Sequence, residues 1–372
     1  MARCLELARQ GEGQTSPNPM VGAIVLNHQG KKVGEGFHAK AGQPHAEVLA
    51  LKQAGDAAHS GTLYLNLEPC NHTGRTPPCT QAIIEAGIVR VICGTLDPNP
   101  RVAGSGRDAL QNHRISVRVG FLEEECRMLN EAFFHAITTK RPFVTLKLGM
   151  TMDGKIATRN GESRWLTGEL SRQYVHHLRH RHDAILTTAE TVMTDNPRLN
   201  VRGLALSADK KPPVRAILDR RFRLTPDAYH VFEADDIETW VFTSALHHDA
   251  DNARRATKLG ARVIKVEEVG TRLDLGAVFA YLADEELTSV LVEAGGKLAG
   301  SLMSQDWVNK LYLFYGPRLL PDPAAKLAFS DAPILQLADA PKLVITNTRQ
   351  LENDVVVEAY PVTRSKAMTV IR

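Results

Sequence analysis

His45, Glu47, Cys70 and Cys79 are the residues whose types and spacing could do chemistry together. Cys70 follows Glu47 after 22 intervening residues, and Cys79 follows Cys70 after eight. Two thiolates and one imidazole make a tripod for Zn²⁺ and leave its fourth position to water. Zinc lowers the pKa of such a water to about 7, so hydroxide is available at neutral pH. Glu47, two positions from His45, is not a ligand in this reading; it reaches the water and a substrate ring instead. A carboxylate there takes a proton from water, passes it to a ring nitrogen, and then protonates a departing amine. This is the glutamate's role in the H-x-E…P-C-x-x-C signature of zinc deaminases, here with a longer gap between the cysteines. Singly the residues mean little, because a lone His is more often a satisfied polar group and a lone Cys more often packing. A purely structural zinc site is the rival reading. It needs four protein ligands, and His72 is the only nearby candidate for the fourth.

The elements that must position these residues read as alternating strand and helix. Residues 21–26 and 32–37 predict a hairpin joined by Asn27-His28-Gln29-Gly30. Helical spacing covers 45–55, followed by a strand over 63–67, a helix over 80–86 closed by Gly87, and a strand over 89–94. His45 then opens a helix, Cys70 ends a strand and Cys79 begins a helix. Both cysteines lie near helix N-termini, where partial positive charge favours the thiolate. A further helix and strand end at Phe121, and 123–139 reads as one helix broken by Lys140-Arg141-Pro142. A second alternating unit starts at Phe143, with later strands over 184–186, 214–218, 239–243, 262–266, 289–292, 310–314 and 354–359. The expectation is an α/β protein with helix-covered sheets in two domains, 1–140 and 141–372.

At 372 residues the chain exceeds the roughly 100–200 of a single domain, which also argues for two. Its net charge of +3 is small, and no basic stripe of the kind that holds a nucleic-acid backbone is evident. The nearest candidate, residues 176–182, is short and mixed. His176 and His180 share a helical face but have no third ligand, and are read as surface residues. No apolar run reaches the roughly 18–20 residues that span a membrane. The N-terminus reads as an amphipathic helix without the apolar stretch of a signal peptide, so a cytoplasmic location is expected. Five cysteines are too few and too odd for a disulfide framework; Cys4, Cys93 and Cys126 are read as inert thiols.

The second half carries a weaker signal. Residues 290–300 form a strand running through Gly295 and Gly296 into a helix, a turn whose N–H groups suit a phosphate. Many such turns carry glycines for geometry alone, and the Gly-x-Gly-x-x-Gly dinucleotide fingerprint is absent.

The run from Pro69 to Cys79, with Ser16-Pro17-Asn18-Pro19-Met20-Val21-Gly22 and Asp97-Pro98-Asn99-Pro100, resembles the bifunctional riboflavin-biosynthesis deaminase/reductase family of bacteria. Lys147-Leu148-Gly149, Gly161-Glu162-Ser163-Arg164-Trp165 and Val292-Glu293-Ala294-Gly295 extend the resemblance over essentially the whole chain. It implies a cytidine-deaminase-like αβα domain followed by a dihydrofolate-reductase-like α/β domain. The first would remove the 2-amino group of 2,5-diamino-6-ribosylamino-4(3H)-pyrimidinone 5′-phosphate. Zinc would sit on His45, Cys70 and Cys79, with Glu47 as proton shuttle and Asn18, His38, His72 and Arg75 on the substrate. Arg75 also reads as a solvated loop charge. The second domain would use NADPH to reduce the ribosyl group to ribityl. NADPH would meet Gly149, Trp165, Thr191, Asp195 and Gly295, Gly296, Lys297, Leu298, Ala299, Gly300 and Ser301. Substrate would meet Ser163, Arg179, Leu199, Arg202 and Glu293. The acid for the reduction is open between Asp195 and Glu293. Arg220-Arg221 stands where related chains often have a small polar residue; Arg220 is taken to suit the NADP 2′-phosphate, and the pair equally fits solvated charges. The resemblance also implies a homo-oligomer. The competing functions are a nucleic-acid base deaminase, a zinc-stabilised binding module without turnover, and a chain with only one active half.

Overall fold

The computed structural model describes residues 1–72, 77–99, 102–204, 211–331 and 333–362. Between Arg141 and Pro142 the chain divides into two compact units. Unit 1 runs α1 (Ala2–Arg9), β1 (Gly22–Leu26), β2 (Lys32–Phe37), α2 (Ala46–Ala54), β3 (Thr62–Leu67), α3 (Cys79–Glu85), β4 (Arg90–Thr95), α4 (Ser105–Asn112), β5 (Ser116–Val119), α5 (Glu123–Leu129) and α6 (Glu131–Thr139). Its sheet has the order β2-β1-β3-β4-β5. β1 is antiparallel to β2 and β3, whereas β3, β4 and β5 are parallel. The parallel β3–α3–β4 crossover has a physical consequence for the site. It places Cys70, just past the carboxyl end of β3, beside the N-terminus of α3 where Cys79 stands. Val25, Leu63, Leu65, Val91 and Ile83 fill the core under α2 and α3. α2 joins that core through Ala46, Ala50, Leu51 and Ala54.

The single helix expected over 123–139 is two. Asn130 breaks it by turning its side chain onto another part of the chain: its Oδ1 accepts from Met20 N–H at 2.8 Å and its Nδ2 donates to Met20 O at 2.9 Å.

Unit 2 contains β6 (Phe143–Thr151), β7 (Lys155–Ala157), α7 (Glu169–Arg181), β8 (Ala184–Thr188), α8 (Ala189–Asp195), β9 (Val214–Leu218), β10 (Thr239–Ser244), α9 (Asp251–Lys258), β11 (Arg262–Val266), β12 (Glu268–Val269), β13 (Arg272–Leu273), α10 (Leu275–Asp284), β14 (Ser289–Glu293), α11 (Gly296–Ser304), β15 (Lys310–Gly316), β16 (Lys326–Leu327), β17 (Leu343–Leu351) and β18 (Asp354–Pro361). The main sheet is ordered β11-β10-β9-β8-β14-β6-β15-β18-β17, and all strands from β11 to β15 in that order are parallel. β18 and β17 return antiparallel at one side. Val144, Leu146, Val292 and Phe279 pack in one core, and Ile185, Ile217, Val241 and Val192 in another. The parallel strands read as continuous apolar runs because both faces are covered. β17 is absent from the sequence-based expectation because its residues are almost all exposed and give no apolar alternation. Parallel order brings the carboxyl ends of β6, β8, β9 and β14 to one edge, where open α/β sheets bind ligands.

Candidate functional site

In unit 1 the side-chain donor atoms of His45, Cys70 and Cys79 all lie within 4.8 Å of one another. His45 is the cap residue preceding α2, one position before the helix proper. Its Nδ1 stands 3.1 Å from Cys79 Sγ and 3.6 Å from Cys70 Sγ. The Cys79 N–H donates to Cys70 Sγ at 3.4 Å, so the start of α3 faces the metal-site sulfur. The bond from Cys79 holds the Cys70 thiol down to about 4, while the same bond and burial push Cys79 up. Hydrogen bonding to Cys70 likewise raises His45 above its ordinary range. Soft sulfur and imidazole donors at this spacing fit Zn²⁺.

Glu47 completes the fit. It is 3 % exposed, and its Oε2 has no hydrogen-bond partner among the described residues. Burial pushes its carboxyl up to about 7, against the opposing charge of His45. A buried carboxylate oxygen without a partner costs free energy unless something outside the chain satisfies it. Exposed His72 stands outside the cluster, so the described residues supply three donors, leaving a catalytic opening. Buried His38 sits beside the site, its ring 5.1 Å from that of His45. Its Nδ1 faces Pro44 O at 3.3 Å and its Nε2 faces Asn18 Nδ2 at 3.1 Å, an arrangement that requires the neutral ring. Burial lowers its pKa accordingly. Arg75 lies outside the described residues.

Glu68 escaped the sequence reading. It is buried, and its Oε2 accepts from the N–H groups of Asp97 and Gly104 at 3.1 and 3.0 Å while Oε1 accepts from Arg107 N–H at 2.9 Å. It ties the start of α4 and the segment before it to the strand end that carries Cys70. Its only signal in sequence is an acidic residue beside Pro69-Cys70.

In unit 2 the expected residues gather along the carboxyl ends of the strands. Arg179 from α7 forks onto Glu293 at the end of β14, at 2.6 and 3.0 Å, both side chains 12 % exposed. The remaining Arg179 nitrogen, Nη1, donates to Asn200 O at 3.0 Å. Burial pushes the Glu293 carboxyl up, but Arg179 and Lys147 outweigh it and hold the group down to about 2. Lys147, not expected in the site, is half-buried there, and its desolvation lowers its ammonium pKa. A Cβ on Gly149 would meet only Thr167 Cγ2 and Lys147 Nζ, at 3.8 and 3.9 Å, so a ligand can approach this backbone closely. Ser163 Oγ donates to Asp195 Oδ1 at 3.2 Å. Trp165 is 60 % exposed, with the Arg172 guanidinium 4.5 Å over its ring. Thr191 donates its N–H to Thr188 Oγ1 at the start of α8.

Other expected residues are placed differently. The Leu199 side chain is packed in the core beside Ile217, leaving its backbone for any contact. Exposed Arg202 donates its N–H to His176 Nδ1 at 3.4 Å, so His176 is half-buried against this segment and is not the surface residue expected. Arg220 is ion-paired with Glu268 at 2.8 Å.

The glycine turn also has a packing explanation. A Cβ on Gly296 would fall 2.1 Å from Leu327 O, and one on Gly300 would fall 1.9 Å from Ser330 O. Ala299 is fully buried and Leu298 nearly so, whereas Lys297 is exposed and Gly295 caps the helix. Gly300→Ala is therefore expected to destabilise unit 2 by about 1–3 kcal/mol, read as a lower urea midpoint, because neither backbone can yield cheaply.

Unit 1 defines the class of a zinc deaminase, and unit 2 that of an open α/β sheet with an anion-suited ligand edge. Residues 1–95 match the cytidine and deoxycytidylate deaminase zinc-binding region, and residues 142–357 match the RibD C-terminal domain. The riboflavin biosynthesis protein RibD of Actinobacillus pleuropneumoniae is 38% identical over 96% of this chain and 93% of its own length. The solved structure of Acinetobacter baumannii RibD is 34% identical and superposes with a TM-score of 0.87 over 97% of both chains. A Thermotoga maritima structure described as a diaminohydroxyphosphoribosylaminopyrimidine deaminase/5-amino-6-(5-phosphoribosylamino)uracil reductase gives 36% and 0.83, again over 97% of both. The chain belongs to the RibD family: it is a bifunctional deaminase and reductase of riboflavin biosynthesis, with zinc and NADPH as its cofactors. Among the described residues no helix is long and apolar enough to cross a membrane.

Proposed function

We propose that residues 1–140 hydrolyse the 2-amino group of 2,5-diamino-6-ribosylamino-4(3H)-pyrimidinone 5′-phosphate, and that residues 141–372 then reduce the ribosyl group to ribityl. The observation that carries the first step is the partnerless buried oxygen of Glu47 beside three metal donors. His45, Cys70 and Cys79 hold zinc, which when bound supplies an activated water at neutral pH. Glu47 would take a proton from the attacking water and give it to the substrate's ring nitrogen. It would then take the proton of the added hydroxyl as the carbonyl forms and deliver it to the amine, which leaves as ammonia. Asn18 and neutral His38 orient the pyrimidine, and His72 and Arg75 meet the polar and phosphate groups.

In the second step NADPH supplies the hydride. Gly149, Trp165, Thr191, Asp195 and residues 295–301 line its path, of which Gly295 and Lys297 are best presented at the start of α11. Ser163, Leu199, Arg202 and Glu293 hold the substrate. Because Arg179 is committed to Glu293 and Asn200, Arg202 is the freer cation for the substrate phosphate. Phosphorylated small molecules, a cytoplasmic setting and a homo-oligomer complete the reading; the net charge of +3 disfavours a nucleic-acid substrate.

Stripping the metal with a chelator is expected to abolish ammonia release from the diaminopyrimidine phosphate and leave NADPH oxidation with the deaminated product unchanged. Added Zn²⁺ restores the first activity. Deamination that persists at zero bound zinc, or two activities lost in parallel, would overturn the assignment.

A further inference from the structure

We propose that Arg221, and not its neighbour Arg220, is the residue by which this chain selects a dinucleotide bearing a 2′-phosphate. The inference rests on the NADPH-dependent reading of unit 2. A cavity of about 510 Å³ opens at the carboxyl end of β9, where Leu218, Arg220 and Arg221 form part of its wall and Arg272, Leu298 and Ser301 line it as well. Leu298 and Ser301 belong to α11, the helix whose first turn is read as the pyrophosphate seat. The cavity thus shares α11 with the proposed dinucleotide path and opens at the strand edge where the adenosine end of such a ligand lies.

The cavity is rich in arginine, and the cations are not equivalent. Arg220 is neutralised by Glu268 at 2.8 Å. Arg223 is shared between Glu190 at 3.4 Å and Asp219 at 4.0 Å. Arg272 is bound to Asp331 at 3.1 Å and to Ser301 Oγ. Arg221 is exposed and makes no ion pair or side-chain hydrogen bond among the described residues. It is the guanidinium whose fork stays open to a phosphate dianion, to which it can bond through two nitrogens. The alternative device for this position is an acidic residue that accepts the ribose 2′-OH of NAD. Asp219 lines the cavity at the strand end, but its side chain is 1 % exposed, its Oδ2 accepts from Leu224 N–H at 2.9 Å, and its remaining Oδ1, without a hydrogen bond among the described residues, faces the Arg223 guanidinium at 4.0 Å.

The test measures binding, not turnover. Dissociation constants of the full chain, its R221Q variant and its R221K variant are compared for NADPH, NADH, adenosine 2′,5′-bisphosphate and AMP. R221Q is expected to weaken NADPH and the bisphosphate by about 10–100-fold, the loss of a charge-assisted bond, with NADH and AMP unchanged. R221K should fall between wild type and R221Q, and unchanged NADH binding certifies the fold. Equal losses for NADPH and NADH, or undiminished preference for NADPH in R221Q, would overturn the proposal while leaving the reductase reading intact. Failure of the unaltered chain to bind NADPH at all would overturn both.

Discussion

Glu47→Gln is expected to lower the rate of deamination by about 10²–10⁴-fold while the protein keeps its zinc and its reductase turnover. The substitution preserves shape in a site where the side chain is 3 % exposed, so α2 keeps its seat on the sheet. An amide cannot accept the proton of an attacking water or deliver one to the ring. Because Glu47 contributes no donor to the cluster of His45, Cys70 and Cys79, metal content should stay at the wild-type level. Ammonia release, zinc by atomic absorption and NADPH oxidation with the deaminated pyrimidine read the three properties separately. Loss of zinc along with activity would recast Glu47 as a support of the metal site. Near-normal deamination would remove it from the mechanism altogether.

The metal cluster was legible because its chemistry sits at element ends that the sequence marks by itself: Pro44 before His45, Pro69 before Cys70, Pro78 before Cys79. Asn18 and His38 were reachable only through resemblance, since neither has a pattern of its own; their pairing across 20 residues is a tertiary fact. Glu68 was illegible for a further reason. It serves three backbone N–H groups, and backbone donors leave no trace in residue type. The parallel strands of unit 2 stood out as apolar runs, whereas β17, exposed along nearly its whole length, did not. The break at Asn130 depends on Met20, 110 positions away. Gly296 and Gly300 show how one feature can have a second cause that sequence hides: beside the phosphate seat their pattern suggests, the chain at Leu327 and Ser330 crosses α11 so closely that only glycine fits. Arg220 and Arg221 were indistinguishable until Glu268, 48 positions on, engaged one of them.

Arg179→Met is the second large effect, expected to cost about 3–5 kcal/mol of unit 2 stability at neutral pH by leaving the Glu293 charge buried without its main partner. Lys147 remains nearby but makes no hydrogen bond to Glu293 among the described residues, so it softens the loss without replacing the fork. The pH dependence separates this cause from a simple packing defect. In the native chain the Glu293 carboxyl is held down to about 2. That is below the value of about 4.3 for an unfolded glutamate, so the pair's contribution is fully present above that value and is lost as pH falls through 2. Without Arg179, burial raises the carboxyl instead. The penalty is then largest at neutral pH and is relieved as pH falls and the group protonates. Urea unfolding from pH 7 down to pH 3 should therefore show the gap between the two proteins closing on acidification. A gap that stays constant across that range would mean that the unpaired Glu293 is not its source. The double variant Arg179→Met, Glu293→Leu should recover most of the stability at pH 7, since it leaves no orphaned charge. It should not recover reduction, because Arg179 also holds Asn200 O and with it the segment that carries Arg202 to the substrate. Stability restored without activity is the result that assigns this ion pair to substrate positioning as well as to the fold.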